Sequence, residues 1–268
     1  MHNFLRSLRR SILRIPKRIR FVVSAGTLVG LMLFSTFFFF DFAWIFVPVF
    51  ILCVYALTYF SIMEGVEKTE WITLFLMPVL LTVSFYLFYF LFPVRWLTRL
   101  PFMVLYGFSI YAVLLTSNIF NVGVERSLQL HRAAFSVNYF YQTLVLFLLL
   151  QVIYSFRQNF LINGLATGIV TLPLVLQLLW TARPKTQLEP QIIRYAMFVG
   201  FIMLQLSIIL SLVPLKGSIY SLALTAVYYS LTGLIYHYTE NKLYRQTIRE
   251  YSIVISFIAI ILVLSLQW

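Results

Sequence analysis

The chain is poor in the residues that make water-facing surfaces, metal sites and covalent crosslinks. Of 268 residues, 8 are acidic, 3 are histidines and 1 is a cysteine, and charged residues make up 10%. The lone Cys53 excludes an intrachain disulfide and a thiolate metal cluster. His2, His131 and His237 have no helical spacing to one another, so no zinc site is expected, and nothing else in the sequence calls for a cofactor. A soluble domain carries about 25% charged residues, far more than are present here. Charge is also missing from the centre of every long apolar run. Proton-coupled antiporters and voltage sensors depend on such charges, so both classes lose support.

What the sequence has instead is hydrocarbon: 62% of residues are hydrophobic, with 27 Phe and 17 Tyr. The apolar runs are continuous and about 20 residues long, which suits membrane-crossing helices and lacks the alternation of an outer-membrane barrel strand. The fold class read from this is all-α, a polytopic transmembrane bundle of nine spans without a soluble domain. The spans are predicted at 21–40, 42–62, 71–93, 101–120, 134–156, 160–181, 195–213, 218–238 and 251–267. Residues 1–20 form a basic N-terminal segment and 21–268 the membrane domain.

The first two spans need an argument, because Phe21 to Ile62 is broken only around Asp41 and Trp44. One helix of that length would be about 63 Å long, twice the roughly 30 Å of a hydrocarbon core, so a hairpin at Asp41 is predicted. Basic residues test the choice. With nine spans and a cytoplasmic N-terminus, only Arg95, Arg99, Arg157 and Lys216 lie outside, and the other sixteen of the 20 lie inside. A single span over 21–62 would make the split nearly even, against the positive-inside rule. That rule also accounts for the net charge of +12 without nucleic acid, which is not expected as a partner.

Within the first fifteen residues, Leu5, Leu8, Ile12 and Ile15 follow helical spacing, with Arg6, Arg9, Arg10 and Arg14 mostly opposite and Pro16 ending the segment. Such a helix would lie on anionic headgroups of the inner leaflet, or its charges would only set orientation. A cleaved signal peptide is not expected, since the small residues Ser24, Ala25 and Gly26 precede the apolar run instead of following it. Lys242, Arg245 and Arg249 repeat at i, i+3 and i+7. They suggest a short helix with a basic stripe toward lipid headgroups, or a merely solvated positive loop.

The densest polar cluster begins at the end of the fourth span. Asn118, Asn121 and Glu125 share a helical face, Arg126, His131 and Arg132 follow, and Asn138 and Gln142 open the fifth span. As a site, these residues would grip a headgroup, a phosphate or a peptide at the inner leaflet, the arginines supplying charge and the amides hydrogen bonds. As ordinary structure, they are a helix end with interhelical amide contacts and snorkelling arginines, which is the commoner arrangement. His131 and Glu125 are six residues apart and fall on different helical faces, so no catalytic residue is assigned.

Gly26-xxx-Gly30 and Gly164-xxx-Gly168 read as close internal helix packing, with oligomerisation second. Pro48, Pro78 and Pro173 fall inside spans. Gln142, Gln151, Gln177 and Gln205 read as buried amides that need partners across helices or in a wet cavity.

The stretch Leu115-Thr116-Ser117-Asn118-Ile119-Phe120-Asn121-Val122, followed by Arg126 and Arg132 in an apolar frame, is similar to uncharacterised multi-pass bacterial membrane proteins. The resemblance covers the fourth and fifth spans. It implies a bacterial cytoplasmic (inner) membrane and no particular activity. Three functions are carried forward: a non-enzymatic scaffold, assembly or binding component; a carrier or flippase for a lipid-like or apolar substrate; and an intramembrane lipid-modifying enzyme. The expected partners are membrane lipids, anionic headgroups on the cytoplasmic side, and another membrane protein.

Overall fold

A computed structural model describes residues 15–38, 43–63, 71–91, 96–122, 128–182 and 188–266. Among them are nine α-helices and no strand: α1 (Lys17–Phe38), α2 (Ala43–Ile62), α3 (Trp71–Tyr89), α4 (Trp96–Val122), α5 (Leu128–Ser155), α6 (Phe160–Ala182), α7 (Pro190–Ser211), α8 (Gly217–Thr239) and α9 (Arg245–Ser265). All nine are long and apolar enough to cross a membrane. The expected break between the first two spans is present, since α1 ends at Phe38 and α2 begins at Ala43. Asp41, where the hairpin is predicted, lies outside the described residues, as do Arg6, Arg9, Arg10 and Arg14.

Several helices start before their apolar runs. α1, α4, α5, α7 and α9 begin four to six residues earlier than hydropathy places them. A helix closes its own backbone hydrogen bonds, so it continues through polar flanking residues where the hydrophobic signal has already stopped. Arg20 and Arg99 consequently sit inside α1 and α4 instead of in loops, and both are buried. Arg99 places its guanidinium carbon 4.0 Å from the centroid of the Phe37 ring, a cation–π contact.

The chain divides into two compact units, one comprising α1, α2, α3 to Tyr86, α4 and α5 to Val137, the other Leu87–Leu91, α5 from Asn138 and α6 to α9. In the first unit α1 packs on α2 and α4, and α2 on α4. Thr82 of α3 and Tyr106 of α4 join hydroxyls at 3.0 Å inside its core. In the second unit the tightest seam is α6 against α7. Gly164 and Gly168 make it: a Cβ on Gly164 would lie 3.1 Å from the Leu204 carbonyl oxygen, and one on Gly168 would lie 3.2 Å from the Leu204 Cβ. This is the internal packing the spacing predicts. Gly26 and Gly30 correct that expectation in α1, because a Cβ on either would meet nothing within 4 Å. They face open space beside the helix.

α8 ends in a Schellman turn, with Lys242 N–H donating to the His237 carbonyl at 2.8 Å and Asn241 N–H to that of Tyr238 at 3.1 Å. Asn241 takes the required left-handed conformation at φ 55°. The chain then enters α9 directly, so Arg245 and Arg249 belong to a spanning helix and no separate short helix forms there. Of α9 only Tyr251 and Ile258 are buried, and Phe257, Ile260, Val263 and Leu264 are exposed.

Candidate functional site

The residues of the polar cluster expected from Asn118 to Gln142 are divided between the two units. Asn118, Asn121, His131 and Arg132 belong to the first unit, and Asn138 and Gln142 to the second. Glu125 and Arg126 lie outside the described residues. Each part is best understood by what its side chains hold.

In the first unit, the last turn of α2 leaves carbonyls without helical donors. Asn121 Nδ2 donates to the Ile62 carbonyl at 3.1 Å, and Arg20 Nη1 donates to that of Phe60 at 3.4 Å. Ser24 donates to the Leu57 carbonyl, and Ser61 donates to Ser24 at 2.8 Å. Side chains of α1 and α4 thus finish the end of α2, and Asn121 is one of these clamps. Asn118, on the neighbouring turn, is half-buried, and its Oδ1 has no partner among the described residues. His131 lies edge-on to Phe120, ring centroids 5.6 Å apart, and Arg132 is exposed.

In the second unit the amides form a closed network. Asn138 Nδ2 donates to Gln177 Oε1 at 3.1 Å, and Gln177 Nε2 donates back to Asn138 Oδ1 at 3.4 Å. Gln142 Nε2 donates to the same Gln177 oxygen, while Tyr228 donates its hydroxyl to Gln142 Oε1 at 3.0 Å. All four side chains are at most 2% exposed. On the next residues of α5 and α8, Tyr139 donates to the Tyr229 carbonyl and pairs with the Thr232 hydroxyl at 3.2 Å, and its ring stacks on Tyr229. Three helices, α5, α6 and α8, are tied together by these bonds.

A second polar layer lies near the far ends of α6 and α7. Thr167 and Ser207 join hydroxyls at 3.0 Å, Ser207 pairs with Tyr220, and Asn163 donates to Ser211 at 3.3 Å. Tyr154 stacks on Tyr220 with centroids 4.4 Å apart and donates to the Leu215 carbonyl at 2.8 Å.

Sequence reading singled out Gln142 and Gln177 correctly as buried amides in need of partners. It missed Tyr228, which nothing distinguishes from the other tyrosines in the chain. Gln205 corrects the same expectation, because it is exposed on α7, and Gln151 is only half-buried. Lys242, Arg245 and Arg249 are all exposed, and Lys242 also pairs with Glu240 at 3.2 Å. Among the described residues no three His, Cys, Asp or Glu side chains gather as metal ligands would.

Among the described residues, nine apolar helices of 19 to 28 residues, with buried polar side chains bonded to one another across helices, define a polytopic α-helical integral membrane protein. Residues 27–265 match the sequence profile of the family described as protein of unknown function DUF5656, and the chain belongs to that family. No curated protein matches the chain, and no solved structure does.

Proposed function

We infer that this protein is a non-enzymatic component of a bacterial cytoplasmic membrane, a scaffold or binding partner for another membrane protein, with its N-terminus in the cytoplasm. The observation that carries this reading is the use of the amides: Asn121, Asn138, Gln142 and Gln177 hold helices to one another. A binding or reaction pocket would leave such groups turned toward a ligand. The exposed apolar length of α9, with Arg245 and Arg249 at its start, supports a role in which lateral faces and a basic edge meet lipid and a partner. The carrier reading draws on the prolines inside spans, the buried Gln side chains and the polar inner-leaflet cluster, and the mutual pairing of Gln142 and Gln177 weakens the second of these. The enzyme reading needs Glu125, Arg126, His131 and Arg132 to converge. His131 against Phe120 and the exposed Arg132 give it no support.

The test is recovery of the tagged full chain from its own membrane in mild detergent after brief crosslinking. The expected result is one membrane protein recovered in constant proportion, with the proportion falling in an Arg132→Glu, Arg245→Glu, Arg249→Glu variant. Recovery of the chain alone, together with saturable uptake or lipid scrambling in proteoliposomes, would overturn this reading in favour of a carrier.

A further inference from the structure

A Cβ on Gly26 or Gly30 would meet nothing within 4 Å among the described residues, and Gly26 lies on a groove between α1 and α4. It has a volume of about 550 Å³ and is open on one side. Along α1 it is lined by Val22, Gly26 and Leu33, and along α4 by Leu100, Phe108 and Tyr111.

The register of the two helices shows what stands at the mouth of this groove. Arg99 packs over Phe37, and a Cβ on Gly107 would come within 3.1 Å of Val29. From the first pair to the second, α1 moves back eight residues while α4 moves forward eight, so the helices run antiparallel in a constant register. Eleven further residues bring Arg18 level with Asn118. Arg18 is exposed and one turn before Val22 on the same face of α1. Asn118 is two turns past Tyr111 on the same face of α4, and its buried Oδ1 is unpartnered among the described residues. An apolar slot therefore opens beneath the exposed Arg18 guanidinium.

We propose that this groove seats one acyl chain of an anionic phospholipid whose phosphate meets Arg18. The length fits. From Val22 to the level of Leu100, which the register sets opposite Thr36, the groove runs about 21 Å, well short of the roughly 30 Å of hydrocarbon core that a spanning helix crosses. A partner helix would need a seat through both leaflets. The charge fits as well, since the apolar lining takes the tail and Arg18 the negative head. The seat does not depend on the scaffold reading.

The test uses the full chain, stripped of lipid in detergent and followed by native mass spectrometry. The probes are dioleoyl phosphatidylglycerol, dioleoyl phosphatidylcholine and inorganic phosphate. One phosphatidylglycerol per chain is expected to persist where other lipids are stripped, and inorganic phosphate does not displace it. Gly26→Leu, whose side chain enters the groove, should weaken both lipids by about tenfold or more. Arg18→Gln should weaken phosphatidylglycerol alone, by about fivefold. Arg245→Gln with Arg249→Gln should leave the persistent lipid in place. Val104→Trp fills the same groove from α4 and serves if Gly26→Leu does not fold. Wild-type retention of both lipids by the groove-filling variants would overturn the proposal. So would a wild-type dimer that Gly26→Leu makes monomeric with lipid binding unchanged, which would assign the groove to a second copy of the chain.

Discussion

Asn138 and Gln177 hydrogen-bond each other in both directions, amide to amide, across α5 and α6. The pair is reciprocal, and Gln142 adds its own donor to the Gln177 oxygen. Gln177→Leu would leave two buried amides short of a partner at once. The expected loss is about 1–2 kcal/mol, at the upper end for polar contacts between membrane helices. Thermal unfolding in detergent reads it, and a double-mutant cycle with Gln142→Leu should show coupling between the two sites. Strict additivity would mean that the two amides act separately.

The two glycine pairs make opposite predictions. Gly168→Leu drives a side chain into Leu204 across the α6–α7 seam and should destabilise by about 1–3 kcal/mol. Gly26→Ala adds a methyl to open space in a helix and should be neutral or stabilise by up to about 1 kcal/mol. Equal destabilisation by both in the same thermal assay would contradict the packing described here.

Asn121 supplies a donor to the end of α2. Asn121→Asp keeps the shape and removes the donor, so it should destabilise by about 1–3 kcal/mol, at least as much as Asn121→Ala. A tolerated Asp at this position would show that the clamp on Ile62 contributes little.

Nine spans with a cytoplasmic N-terminus require Trp268 to face the other side. Alkaline phosphatase fused after Trp268 should be active and green fluorescent protein dark. The reverse pattern would remove the orientation drawn from the basic residues.

The sequence by itself determined the helices. In hydrocarbon every backbone N–H and C=O must be satisfied within its own segment, so a span announces itself locally as about 20 apolar residues. That is why α2, α6 and α8 begin within a residue of where the sequence places them, and why the separation of the first two spans could be read from length together with the basic residues. What only the tertiary structure decided is which way each helix faces. Lipid is as apolar as a protein core, so the apolar residues on the inward and outward sides of a span look alike and hydropathy does not tell the two sides apart. Gln177 and Gln205 look alike in sequence, yet one is sealed in a network and the other is exposed. Gly164-xxx-Gly168 and Gly26-xxx-Gly30 look alike too, yet one closes a seam and the other opens a groove. Asn121 was legible as a polar residue near a helix end, but its partner is a carbonyl 59 residues away in the chain, and only folding brings the two together.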